Sequence, residues 1–131
     1  PILIASGHGE EPRAIVLAYD ASPAADRALE RLRDSPLFAG LPVHIVLAGP
    51  DDAVRRHALE GATDLLRASR DVRGTLQEGR PEAIIAGVVA QTPGALLMMG
   101  AYGHSPLRRL IVGSTTTAMI RTVHVPVLLV R

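Results

Sequence analysis

The stretch with the most to offer a ligand is Gly100-Ala101-Tyr102-Gly103-His104-Ser105-Pro106-Leu107-Arg108-Arg109-Leu110-Ile111-Val112-Gly113-Ser114-Thr115-Thr116-Thr117. An apolar run, Ala95 to Met99, leads straight into a glycine; a second glycine follows at +3, and after nine more residues a third precedes a run of hydroxyl side chains. Each part has a use in holding a polyphosphate. Glycines let the backbone come close and take positive φ, so that successive N–H groups converge on one anion. A helix that opens at Ser114, Thr115 and Thr116 adds unpaired N–H donors and the positive end of its dipole, worth about 0.3 to 2 kcal/mol for a well-placed charge. The three hydroxyls can donate to phosphate oxygens as well.

Composition limits what else the chain can do. Its 131 residues contain no cysteine, which excludes thiolate zinc sites, iron–sulfur clusters, redox pairs and a cysteine nucleophile. All 14 basic residues are arginine, so a Walker A clamp, a Schiff base and a lysine nucleophile are excluded too. Thirteen acids nearly balance them at a net charge of +1, a poor footprint for a dedicated nucleic-acid binder. The apolar runs are too short to span a bilayer and no signal segment is apparent, so a soluble cytoplasmic protein is expected. With 47% hydrophobic but only 2% aromatic residues, the core must be built from Ala, Val, Ile and Leu.

The elements that position the glycine stretch follow from periodicity. Ala14 to Tyr19 is a continuous apolar run ending at Asp20, as expected of a strand buried on both faces. Ser22-Pro23 then opens a helix to Asp34, with Ala28, Leu29 and Leu32 on one face. Val43 to Ala48 reads as the second strand and Asp51-Asp52 as the start of a helix to about Ser69. Val72 to Gln77 is a weaker strand because it contains Gly74. Pro81 begins a helix through Gln91, Ala95 to Met99 is the fourth strand, Thr115 to Thr122 the fourth helix, and Val125 to Val130 the fifth strand. Such alternation implies a doubly wound α/β domain, whose ligands lie beyond the carboxyl ends of the strands where strand order reverses. Asp20, Gly49, Glu78 and Gly100 should gather there. Ahead of all this, Pro1-Ile2-Leu3-Ile4-Ala5 resembles Pro126-Val127-Leu128-Leu129-Val130, and Ser6 to Pro12 has linker composition. The expected division is therefore a leading strand and linker over 1–12, as a remnant of a preceding repeat, and one domain over 13–131.

Gly-x2-Gly-x9-Gly-Ser, complete at Gly100, Gly103, Gly113 and Ser114, is similar to the nucleotide-binding pattern of the ATP-binding branch of the universal stress protein family. The likeness extends to the acid after the first strand, to Glu78-Gly79-Arg80-Pro81, to Leu97-Met98-Met99-Gly100 and to Val125-Pro126-Val127-Leu128-Leu129-Val130. It implies a Rossmann-like, adenine nucleotide alpha hydrolase-like fold: five parallel strands in order 3-2-1-4-5 with helices on both faces. It also implies ATP as ligand, accompanied by Mg2+ that no direct protein cage holds. By position, Asp20 matches the acid that contacts the nucleoside, with Ala18 and Tyr19 lining its approach. Ala48 matches a backbone reader of the adenine edge, and Met99 and Gly100 lie under the ribose. Tyr102 and Gly103 belong to the loop over the phosphates, and Gly113, Ser114, Thr115 and Thr116 to the phosphate-binding helix start. One departure is Gly94, where the family commonly has Asp. The family commonly dimerises through its fifth strand, which implies a homodimer or pseudo-dimer there, unless Pro1 to Ala5 covers that edge.

Plainer readings stand beside these. Asp20 could serve as a helix cap, the glycine loop could be empty, and Arg80 could be either a ligand contact or a solvated side chain. Arg108 and Arg109 suit a solvated helix face, His104 a surface position, His44 a structural role, and Met98 and Met99 the core. No catalytic residue is assigned. The leading expectation is a nucleotide-dependent stress-response or regulatory module. Its rivals are a slow ATPase or nucleotidyl-transfer enzyme of the same fold and a dimerising scaffold with a vacant pocket.

Overall fold

A computed structural model of the chain describes residues 2–4, 11–36, 38–100 and 125–130. Its elements in chain order are β1 (Ile2–Ile4), β2 (Ala14–Ala18), α1 (Pro23–Asp34), β3 (Val43–Ala48), α2 (Ala53–Arg67), β4 (Val72–Gln77), α3 (Pro81–Ala90), β5 (Ala95–Gly100) and β6 (Val127–Val130). The helix expected over Thr115 to Thr122 lies outside the described residues. One sheet runs β1-β6-β5-β2-β3-β4. Every pairing from β4 across to β6 is parallel, and counted among themselves these five strands have the expected order 3-2-1-4-5. β1 joins the far edge antiparallel to β6, with Ile2 opposite Leu129, Leu3 opposite Leu128 and Ile4 opposite Val127.

Both faces of the sheet are covered because the central strands are apolar at every position. Alternate residues of β2 divide between two cores: Ile15 and Leu17 meet Ala28, Leu29 and Leu32 of α1 and Leu66 of α2, while Val16 and Ala18 meet Ile85 and Val89 of α3. Burying such side chains contributes roughly 1.5–3 kcal/mol each, so the alternation along one strand holds both helix layers.

Local chemistry sets the helix ends. Ser22, in extended conformation, accepts from the Ala25 N–H at 3.1 Å, and Pro23 takes the first turn, where its missing N–H costs nothing. Asp52 does the same for α2, accepting from Arg55 N at 2.8 Å. α1 ends against an arginine far along the chain: Arg70 donates to the carbonyls of Leu32 at 2.9 Å, Ser35 at 3.4 Å and Phe38. A guanidinium at a helix carboxyl end satisfies orphan carbonyls and the negative end of the dipole together.

Gly74, the residue that weakened β4 as a strand, has a packing reason. A β-carbon there would stand 2.8 Å from Thr63 Cγ2 and 2.9 Å from Leu59 Cδ1, so α2 rests directly on the strand backbone. Gly94 turns the chain into β5 at φ +70°, and its carbonyl accepts from the N–H groups of both Arg13 and Ala14. A turn that needs left-handed backbone explains glycine at this point.

Candidate functional site

The parallel register brings three strand ends to one edge. Ala18 is paired with Met99 of β5 on one side and Val46 of β3 on the other. The chain continues through Tyr19 to Asp20 beyond β2, ends β3 at Ala48, and ends β5 at Gly100. Strand order reverses between β2 and β5, and open α/β sheets in general bind ligands beyond the strand ends at such a point, which Asp20 and Gly100 flank here.

The carboxylate of Asp20 is half-buried and accepts from the Ser22 N–H at 3.0 Å through Oδ1; Oδ2 makes no hydrogen bond among the described residues. Helix capping therefore belongs to Ser22, and Asp20 ties the loop that precedes it. Between them Ala21 sits at φ +63°, the only non-glycine residue with positive φ among those described. Such a conformation costs roughly 1–2 kcal/mol for a residue with a β-carbon and is held here by the turn that Asp20 and Ser22 form.

Tyr19 is buried in the core on the α1 side, and its hydroxyl donates to Asp26 Oδ1 at 2.6 Å. Burial, then the Asp26 hydrogen bond and charge, push its phenol well above the usual tyrosine range. Its backbone N–H donates to the Val46 carbonyl at 2.9 Å, so Tyr19 locks the end of β2 to β3 and, through Asp26, to the first turn of α1. Ala18 and Met99 are buried as well, on the α3 side. What these three can present at the edge is chiefly backbone. Gly100 is where β5 meets α1: a β-carbon there would lie 2.6 Å from the Ala24 carbonyl carbon, 2.7 Å from Ala24 Cβ and 2.8 Å from Ala24 O. The helix start and the strand end touch at this point.

Ala48 is half-buried, and the Gly49 N–H that follows it donates to the Gln77 carbonyl at 2.9 Å. A β-carbon at Gly49 would stand 2.8 Å from Arg55 Nε, which puts that side chain over the end of β3. Arg55 also pairs with Asp52. Sequence reasoning missed Arg55; the Gly49-Pro50-Asp52 turn, which points the first exposed turn of α2 back over β3, was the signal available. Arg80 is 85% exposed at the start of α3 and lies 3.5 Å from Glu82, a solvated ion pair of little energetic weight. Tyr102, Gly103, Gly113, Ser114, Thr115 and Thr116 lie outside the described residues, as do His104, Arg108 and Arg109.

No group of three or more His, Asp or Glu side chains could hold a metal ion among the described residues, and no helix there is long and apolar enough to cross a membrane.

Comparison with known proteins agrees with this architecture. Universal stress protein Slr1230 of Synechocystis sp. is 34% identical over 134 residues, covering 100% of this chain and 47% of its own length. A universal stress protein structure from Archaeoglobus fulgidus superposes with a TM-score of 0.71 at 27% identity, over 91% of this chain and 44% of that one. A universal stress protein in complex with cAMP superposes with a TM-score of 0.72 at 23% identity, over 93% and 98% of the two chains. The chain thus spans about half the length of the Synechocystis relative and of the Archaeoglobus structure. The model of the universal stress protein family matches residues 12–131, and on that match, with the Synechocystis likeness along its whole length, the chain belongs to the universal stress protein family.

Proposed function

We propose that this chain is an ATP-binding regulatory module, in which nucleotide occupancy biases a conformation or partner surface. The observation that carries the reading is the meeting of Asp20, Ala48 and Gly100 at the carboxyl ends of three adjacent parallel strands, at the switch point of the sheet. Asp20 Oδ2 is available to a ribose hydroxyl, and the strand-end backbone of Ala48 to a base edge. The glycine and hydroxyl set Gly103, Gly113, Ser114, Thr115 and Thr116 supplies donors suited to phosphate oxygens. ATP would bring its own Mg2+ on the phosphates, with no side-chain cage required. That a universal stress protein of the same fold binds cAMP supports an adenine nucleotide as the ligand class. Regulation is favoured over catalysis because the sequence offers the phosphates no lysine.

Protein denatured after purification should release adenine nucleotide, and added ATP with Mg2+ should raise the melting temperature. A ligand at 100 times its Kd stabilises by about 2.7 kcal/mol, a readily measured shift. Gly113→Val with Ser114→Glu should abolish it by blocking close approach and repelling phosphate. No released nucleotide together with no shift would refute the proposal, leaving the scaffold reading. Steady hydrolysis lost in Asp20→Ala, while ATP still binds, would make the module an enzyme.

The same reading extends to assembly. Residues 13–131 form the universal stress protein domain, and residues 1–12 are a leading strand and linker whose β1 takes the outer edge of β6, where a second unit's last strand would pair in a homodimer or pseudo-dimer. Sedimentation equilibrium checks this: with β1 in place the chain should be monomeric, and removal of residues 1–12 should produce dimers.

A further inference from the structure

The opposite edge of the sheet, where β2, β3 and β4 begin, carries a concavity of about 320 Å3, at the small end of the roughly 300–1,000 Å3 typical of ligand pockets. Ala14, half-buried, and Pro42, exposed, provide its apolar lining, on the face of the sheet that Val16 and His44 share. Asp71, Arg73, His44 and Thr92 provide its polar lining. Thr92 is already engaged, donating to the Val88 carbonyl at 2.6 Å. Asp71 and Arg73 are not: both are exposed, and neither side chain makes an ion pair or hydrogen bond among the described residues. Two residues apart on extended chain, they stand about 6–7 Å from each other along the edge. His44, opposite Arg73 in the register, bonds Thr75 Oγ1 through Nε2 at 2.6 Å, while its buried Nδ1 has no partner among the described residues.

We infer that this pocket binds a small zwitterion with an apolar tail, of the aliphatic α-amino acid class, its carboxylate on Arg73, its ammonium on Asp71 and its side chain against Ala14 and Pro42. A simple anion would satisfy Arg73 but face the Asp71 carboxylate, and a simple cation would meet the reverse conflict. A ligand carrying both charges a few ångströms apart pairs with each side chain at once, and charge-assisted hydrogen bonds of this kind are the strong ones. His44 is a built-in reporter. Burial and then the Arg73 charge hold its pKa below the ordinary 6.5, so a carboxylate that neutralises Arg73 moves it upward.

The test is calorimetric titration of the whole chain with L-leucine, set beside isovalerate, which lacks the amine, and isopentylamine, which lacks the carboxylate. NMR titration of the His44 imidazole, identified with His44→Gln, runs in parallel. Leucine should bind saturably and raise the His44 pKa. Each half-probe should bind at least about tenfold more weakly, and Arg73→Gln and Asp71→Asn, both at exposed positions, should each weaken leucine binding about tenfold or more. Absence of saturable leucine binding would overturn the inference. So would isovalerate binding as tightly as leucine, which would make this a simple anion site, or unchanged affinity in either folded variant. The pocket lies at the edge opposite the proposed nucleotide site, so neither result depends on ATP.

Discussion

Gly100→Ala is the substitution on which the contact between β5 and α1 can be judged. The added methyl would meet Ala24 at 2.6 Å from C, 2.7 Å from Cβ and 2.8 Å from O. Favourable carbon contacts begin near 3.5 Å, so β5 and the start of α1 must part by about 1 Å. Two of the three contacts are backbone and the third is a β-carbon fixed to it, so no rotamer change can absorb the overlap. Ala24 is itself buried in the first turn of α1, two residues beyond the Ser22 cap. Overpacking of this kind costs typically 1–3 kcal/mol, a large share of the 5–15 kcal/mol that holds a domain folded. Urea denaturation should show that loss, and the displaced Asp20–Ser22 loop should weaken the proposed ATP binding beyond what stability alone explains. Adding Ala24→Gly removes the Cβ contact but leaves both backbone contacts, so it should restore less than half of the loss. Gly61→Ala is the control: nothing among the described residues lies within 4 Å of its β-carbon position in α2, and it should stabilise by about 0.5–1 kcal/mol. A Gly100→Ala protein within about 0.5 kcal/mol of the parent would refute the close approach of β5 to α1.

Other substitutions test the remaining devices. Arg70→Ala should cost about 2 kcal/mol in urea denaturation, because three carbonyls at the end of α1 lose a charged donor, and Arg70→Lys should recover only part, an ammonium lacking the planar fork. Ala21→Gly should stabilise by up to about 1 kcal/mol by relieving φ +63°, measured by thermal denaturation. His44 is held below its ordinary 6.5 by burial and by Arg73, so the unfolded chain takes up its proton first as pH falls. Its contribution is complete above pH 6.5 and is lost between 6.5 and its lower folded value; His44→Gln should flatten the stability profile in that window. Asp51 and Asp52, lowered by hydrogen bonds from Arg56 and from the Arg55 backbone, act only below the ordinary carboxylate value of 3.8, so the two windows separate.

The five parallel strands were legible because strands buried on both faces read as unbroken apolar runs, and Ala14 to Ala18 and Ala95 to Met99 are of that kind. β4 was harder to read. It is an edge strand with only partial burial, and its glycine answers to Leu59 and Thr63 on α2, eleven to fifteen residues earlier. Helix starts were readable to within a residue, since Ser22, Asp52, Pro23 and Pro81 act through neighbours in sequence. Arg70 was invisible for the opposite reason: its three acceptors lie thirty-two to thirty-eight residues away, and nothing in its local pattern separates it from the other arginines. At the site, both Asp20 and Ser22 are able caps, and only the backbone between them decides which one serves. Tyr19 reads as the last residue of an apolar run. Its alternation with Ile15 and Leu17 already assigns it to the α1 face, where Asp26 receives its hydroxyl.

The resemblance of the first five residues to the last strand acquires a physical meaning from the register. β1 and β6 pair antiparallel with Leu3 opposite Leu128 at the centre. Two like segments that meet antiparallel are related locally by a two-fold axis, the relation that two copies of one strand adopt in an isologous contact. A parallel partner would have given no such symmetry and would have required a crossover connection. The exposed N–H and C=O groups of β6 are therefore matched by a segment of similar composition in the geometry that self-recognition would produce. An edge strand as apolar as Val127 to Val130 is hazardous if left open, and β1 closes it. A segment serving merely as a tether has no need to match the strand it covers, so substitutions at Leu3 and Leu128, the centre of the pairing, test the proposed assembly directly.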